Sequence, residues 1–311
     1  MIRNIFILLV VICSLFACNE DIVYRAPFEE EFILYSIINA DSNLQFVMLK
    51  KSFSDKNSNE NNYIKDASIS LISDNLIEEL KDTTINSNDI EADLYYTKNF
   101  KPGLGSKIKI RAELKNGKIL TSSIIIPKFT SFLIDQFNLI IPPVIEPTFL
   151  HISWTLRNPS SKLAFLPRLT INYKIKKNNI ETKHSYEIPS EYIKQGNENI
   201  PIYPTAIRGQ GVVYPERTIE TAFEEISKGD TDKSSYTIEY VDFEVFIMEE
   251  NLTNYSASIQ SFKNSYSVKI YEPLISNISN GLGVFGGYVT RGEKVPLDSG
   301  FVLSFGYNLE K

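Results

Sequence analysis

Cysteine is nearly missing from this chain. It has 2 in 311 residues, Cys13 and Cys18, and both fall at the extreme N-terminus. Beyond them no disulfide is possible, which excludes a small fold stapled by cross-links. Histidine is as scarce, with 2 residues, His151 and His184, and neither has a partner at metal-ligand spacing. A Ser-His-Asp set would have to recruit one of those two. The sequence contains no His-Glu-x-x-His, no Gly-x-Ser-x-Gly, no P-loop and no EF-hand loop. Positive charge is in deficit: 32 Lys and Arg stand against 38 Asp and Glu, a formal net charge of −6. That excludes the phosphate-tracking surface of a nucleic-acid binder and argues against a basic membrane-facing patch. Missing too is an apolar run of the roughly 20 residues needed to span a bilayer.

One shorter apolar run is present, from Ile5 to Phe16. Arg3 gives it a positive start, Leu15-Phe16-Ala17-Cys18 closes it, and the polar Asn19-Glu20-Asp21 follows at once. This is the pattern of a secretory signal ending in a lipobox. Residues 1–17 are expected to be removed, Cys18 to become an acylated N-terminus, and residues 18–27 to form a lipidated linker. Each buried methylene contributes about 0.8 kcal/mol, so two or more acyl chains such as palmitate hold a protein on a membrane almost permanently. The alternative is an ordinary secreted protein cut by a general signal peptidase. The bulk of Phe16, and a lone remaining cysteine placed at the cut, favour acylation.

The rest of the chain is 43% apolar and 12% aromatic as composition goes, too rich for disorder and long enough for two cores. Its pattern is that of strands. Ile108, Ile110, Ala112 and Leu114 alternate with Lys107, Lys109, Arg111 and Glu113, and Asn116-Gly117 then offers a hairpin turn. Further strands are expected at 31–38, 44–49, 67–72 and 119–126, together a small antiparallel sandwich over residues 28–127. Pro142, Pro143 and Pro147 mark 128–148 as a linker. A second sandwich over 149–311 opens with Leu150, Ile152, Trp154 and Leu156 on one face, followed by Leu169, Ile171, Tyr173 and Ile175. A tryptophan strand followed by a tyrosine strand resembles a fibronectin type III start. Residues 177–235 read as an irregular insertion, with 218–226 open between helix and strand. A central strand is expected at 236–248 and one short helix at 252–263, capped by Thr253 or Asn251. Strands at 268–271, 284–288 and 301–307 finish the chain. The fold class is therefore mainly β: two antiparallel, immunoglobulin- or fibronectin III-like sandwiches with one short helix.

Residues that could carry chemistry are few. Gly281-Leu282-Gly283-Val284-Phe285-Gly286 spells a dinucleotide fingerprint, yet Gly287, Gly292 and Pro296 forbid the helix that must follow it. The glycines read instead as positions pressed against another backbone. Glu78-Glu79, Glu224-Glu225 and Glu249-Glu250 are sequence neighbours that point to opposite faces of a strand, so they read as solvated charge. No catalytic, cofactor or metal residue is assigned. Tyrosines in turn-rich segments remain, and Tyr192, Tyr203 and Tyr214 form the best candidate surface for a glycan or peptide. The plainer reading is that they pack over sandwich ends.

The run Glu272-Pro273-Leu274-Ile275-Ser276-Asn277-Ile278-Ser279-Asn280-Gly281 through Gly287, with Ile64-Lys65-Asp66-Ala67-Ser68-Ile69, Pro102-Gly103 and Asn116-Gly117-Lys118, resembles one family. It is the Bacteroidota lipoprotein family catalogued as domain of unknown function 4249. Leu166-Pro167-Arg168 departs from it, standing where an aromatic pair is expected, and 177–235 matches least. The resemblance implies an outer-membrane lipoprotein, acting beside a TonB-dependent receptor in nutrient uptake. It carries over no catalytic residue. Glu20 and Asp21 resemble the acidic signal that sends such lipoproteins to the cell surface. Two rivals stand beside this expectation: an adhesion or envelope-structure lipoprotein without a small ligand, and a hydrolase with an unrecognised site.

Overall fold

The computed structural model describes residues 31–52, 62–74, 76–87, 90–136, 139–143, 149–159, 162–196, 198–263 and 275–310. Cys18, the lipobox, the 18–27 linker and the strand expected at 268–271 lie outside them. The first half contributes β1 (Phe32–Asn39), β2 (Gln45–Lys51), β3 (Ser68–Ser73), β4 (Leu76–Glu79), β5 (Lys81–Ser87), β6 (Ile90–Thr97), β7 (Lys107–Glu113) and β8 (Ile119–Ile125). Next come β9 (Ser131–Ile134), β10 (Phe149–Arg157), β11 (Ala164–Lys177), β12 (Ile180–Ile188), β13 (Glu191–Gln195), β14 (Glu198–Ile202) and β15 (Gly211–Pro215). Helix α1 (Glu216–Glu225), β16 (Tyr236–Met248), α2 (Glu250–Lys263), β17 (Leu282–Val295), α3 (Ser299–Ser304) and β18 (Asn308–Leu309) complete the order. Among the described residues no helix is long and apolar enough to cross a membrane.

Mainly β is the fold, as the alternation requires. In β7 the buried residues are Ile108, Ile110 and Ala112 while Lys107 and Lys109 are exposed; in β10 they are Leu150, Ile152, Trp154 and Leu156. A two-residue period gives each strand one apolar face, and that face needs an opposing layer. Here the layers share one backbone sheet. Nine strands join in the order β12-β11-β16-β17-β1-β2-β6-β5, with β18 beside β16. Smaller sheets, β4-β3-β7-β8 and β15-β10-β9, supply the opposing layers. Gly287 of β17 faces Ile124 and Ile126 beside β8. Further along the sheet, Trp154 of β10 packs 5.7 Å from Phe165 and 5.9 Å from Phe243. One core cluster runs through both regions, from Leu34 and Ile108 to Trp154 and Phe243. Full burial of each such side chain contributes about 1.5–3 kcal/mol.

Several expectations are corrected by this arrangement. The boundary placed at 128–148 does not divide one sheet from another, because β1 pairs in parallel with β17 over Ile33 to Asn39. Residues Glu31–Ser52 and Asn61–Lys311 accordingly group as one compact unit. The parallel pairs β1–β17 and β16–β18 also depart from a wholly antiparallel scheme. Residues 177–235 are not mainly irregular: β12 extends the large sheet, β15 pairs with β10, and Ile219, Ala222 and Phe223 of α1 are buried. The strand expected at 301–307 is instead the short helix α3. Asp298 accepts a hydrogen bond from Phe301 N–H at 2.8 Å to start it, and Phe301 and Phe305 then pack on Phe223 at 5.2 and 5.4 Å. The helix expected at 252–263 is α2, and its N-terminal N–H groups are met by Glu249, not by Thr253 or Asn251.

Candidate functional site

The segment that follows β12 builds a cleft. Antiparallel pairing of β13 with β14 sets Tyr192 opposite Pro201 and Lys194 opposite Asn199, while Ile193 opposite Ile200 falls on the other face. Tyr192, Lys194 and Asn199 line the cleft together with Arg217, Thr221 and Glu224 of α1, around a volume of about 560 Å³. Helix α1 owes its orientation to its buried face, Thr218, Ile219, Ala222 and Phe223, which turns Arg217, Thr221 and Glu224 outward. Asn199 Nδ2 donates to Glu225 Oε1 at 3.0 Å, tying hairpin to helix. Glu224 and Glu225 thus serve different ends, one lining the cleft and the other held by Asn199 and by Lys228 at 3.1 Å.

The three candidate tyrosines diverge. Tyr192 is partly buried, its hydroxyl 2.9 Å from that of Tyr186. Burial, with the Tyr186 hydroxyl beside it, drives its ionisation far above the ordinary tyrosine range. It therefore remains a neutral hydrogen-bonding group and an apolar wall, and does not serve as a base. Tyr203 is 42% exposed and its hydroxyl is also raised, first by burial and then by Tyr186 and Glu187. These two belong to one surface. Tyr214 does not, because its register opposite Leu150 turns it into the core, fully buried, with its hydroxyl lacking a hydrogen-bond partner among the described residues.

Arg168 sits at the centre of a second feature, on the sheet face away from the core. Its Nε donates to Glu187 Oε2 at 2.8 Å, its guanidinium lies 5.6 Å from the Phe246 ring, and Phe246 in turn lies 5.3 Å from Tyr288. Glu244, its partner across β11 and β16, is raised above the usual carboxylate range by burial, with Asp242 adding to the effect and Arg168 opposing it. Asp242 and Glu244 line a shallow hollow of about 400 Å³ with Thr290, Arg291 and Lys294.

His184 is engaged by Thr182 at 2.8 Å and stacks on Tyr173 at 5.5 Å. His151 is exposed on β10. Among the described residues no group of three or more His, Cys, Asp or Glu side chains could hold a metal ion. Arg217, Thr221 and Asn199 are cleft residues that sequence reasoning missed. The signal for two of them was the spacing of Ile219, Ala222 and Phe223, which fits a helix and not a strand. Chemically the cleft offers one aromatic wall with amide, hydroxyl, cationic and acidic groups around it, the set that contacts the hydroxyls of a saccharide or the backbone of a peptide. The chain matches no protein-family model and no curated protein sequence.

Proposed function

We propose that this chain is a lipid-anchored outer-membrane binding protein that acts as an accessory to a TonB-dependent nutrient transporter at the cell surface. The observation that carries the reading is the apolar run from Ile5 closed by Leu15-Phe16-Ala17-Cys18, with Cys18 the one cysteine outside the run's interior. The resemblance to the domain of unknown function 4249 lipoproteins supplies the transporter. The cleft beside Tyr192 supplies a place for a glycan or peptide ligand. Three outcomes test it: the full chain should incorporate labelled palmitate, Cys18→Ser should abolish that and release the protein from membranes, and mild-detergent purification of the wild type should recover a TonB-dependent receptor. Recovery without any receptor counts against the transporter role.

A second reading, an adhesion or envelope-structure lipoprotein, is favoured by the outward face of the β13–β14 hairpin. Ile193 and Ile200 are 49% and 40% exposed there, opposite one another and away from the cleft. Glycan or peptide binding that is lost in Tyr192→Ala separates the first reading from this one.

A further inference from the structure

The four-stranded sheet ends on β8, and some of that strand's backbone has nothing to bond. Ile126 donates to Ser106 C=O at 3.0 Å and accepts from Gly105 N–H at 3.1 Å, and Lys118 accepts from Leu114 N–H at 2.9 Å. Backbone groups alternate in direction along an antiparallel strand, so the even-numbered residues here face β7 and the odd-numbered ones face away. Two of the outward positions are taken. The Ile119 carbonyl accepts from Asn280 Nδ2 at 2.9 Å, and Thr121 exchanges bonds with Ser279 at 2.8 and 3.4 Å. The outward N–H and C=O groups of Ser123 and Ile125 have no partner among the described residues, and Ile125 is 57% exposed.

Proteins ordinarily blunt an open edge with charge, proline or a covering loop. Other edges here follow that rule: β12 carries Glu181, Lys183 and His184, and β15 ends in Pro215. At 123–125 the sequence is Ser-Ile-Ile, with none of these devices. Beside it run two cavities of about 380 and 580 Å³ that share Ser123 and Asn251 in their walls. Lys107 lines the first, Lys109 and Arg111 the second. Arg111 is paired with Glu113 at 2.7 Å and Glu250 with Lys162 at 2.6 Å, while Glu249 is turned into the start of α2. Lys107 and Lys109 have no ion-pair partner among the described residues. The uncompensated charge along the groove is therefore positive, although the chain as a whole is acidic.

We propose that the open edge of β8 docks an extended acidic peptide segment of a partner protein, which joins the sheet as an added strand. Backbone bonds to Ser123 and Ile125 supply the affinity, and alternate side chains supply the selectivity. Lys107 stands across from Ile125, and Lys109 across from Ser123. The small Ser123 side chain leaves Lys109 free to reach over it to a carboxylate on the incoming strand. A second copy of this chain is a poorer occupant, since edge-to-edge pairing sets lysines against lysines. The inference goes beyond the lipid-anchored reading and does not need it, because the edge belongs to the folded unit alone.

The test uses the full chain in detergent and a short fluorescent peptide alternating aspartate and valine. Three results are expected. The peptide binds and slows amide exchange at Ser123 and Ile125; methylation of alternate backbone nitrogens in the peptide weakens binding at least about tenfold; and Lys107→Glu with Lys109→Glu does the same without moving the unfolding midpoint. Equal binding of the methylated peptide, or of a lysine-valine peptide, overturns the proposal. So does protection of the two amides in the free protein, whether by residues 264–274 or by self-association, since the edge is then already filled. The exchange measurement requires no variant and keeps the test valid if the double substitution disturbs folding.

Discussion

Gly283 of β17 and Leu34 of β1 stand opposite each other in a parallel pair, so close that a β-carbon on Gly283 would lie 2.0 Å from the Leu34 carbonyl oxygen. Gly283 also holds a φ of +114°, a conformation that L residues rarely adopt. The glycine-rich stretch is thus the seam by which the start of the chain joins strands from its end. Gly283→Ala combines backbone strain with a steric clash and is expected to destabilise by about 3 kcal/mol or more. Gly209, with open space around it, is the control: its alanine variant should stay within about 0.5 kcal/mol of wild type. Urea unfolding followed by circular dichroism reads both, and equal midpoints would show that the seam has room to spare.

Strands are legible in the sequence because a two-residue period is local. Ile108, Ile110 and Ala112, or Leu150, Ile152 and Trp154, announce their buried face without reference to any partner. The partner itself is not local. Nothing in Ile33 to Ile38 says that the neighbouring strand is about Gly283, and this is why the sequence suggests two sandwiches where one sheet runs through. Phe301, Val302 and Phe305 mislead for another reason: so short an apolar run suits a strand or a helix, and Asp298 with Gly306 decides for the helix. At the candidate site, Tyr192 and Tyr203 are legible as aromatics in turn-rich sequence. Tyr214 shares that local context and is distinguished only by its register with Leu150, a long-range fact.

Tyr214 gives a prediction that follows from this burial. Its hydroxyl is buried without a hydrogen-bond partner among the described residues, and a buried unpaired polar group costs free energy that its removal returns. Tyr214→Phe is expected to leave the unfolding free energy unchanged or to raise it by up to about 1 kcal/mol. Tyr214→Ala should lose about 3–5 kcal/mol, because it empties the ring's volume from the core. A clear loss in the phenylalanine variant would mean that the hydroxyl has a partner after all.

The carboxylates beneath Arg168 should show themselves in pH dependence. Burial holds both Glu244 and Asp242 above the ordinary carboxylate range, with Asp242 reinforcing the shift in Glu244, and Lys294 opposing that in Asp242. When the folded pKa exceeds the unfolded one, the ionised group costs stability. That cost is present in full above the folded pKa and disappears as pH falls through it towards the unfolded value. Glu244→Gln should therefore raise the unfolding midpoint at neutral pH, and lose this advantage near the unfolded glutamate pKa of about 4.3. Because Glu244 is only partly buried, the gain is held below about 1 kcal/mol. Thermal unfolding across that range checks it, and a midpoint lowered at neutral pH would reverse the sign argued here.

Glu249 offers the sharpest separation of geometry from charge. It is 5% exposed, and its carboxylate accepts the N–H groups of Asn251 and Leu252, both at 2.8 Å. Those donors would otherwise be orphaned at the first turn of α2, whose Leu252 presses on Gly286 of the large sheet. Burial nevertheless keeps the Glu249 carboxyl above its ordinary range, the backbone bonds offsetting only some of the effect. An uncharged acceptor of the same shape should therefore serve nearly as well as the carboxylate, whereas loss of the acceptor should not be tolerated. Glu249→Ala is expected to cost about 1–2 kcal/mol and to speed amide exchange at Asn251 and Leu252. Glu249→Gln should retain most of that protection at neutral pH. If both variants lose protection alike, the negative charge and not the acceptor geometry is what seats α2 on the sheet.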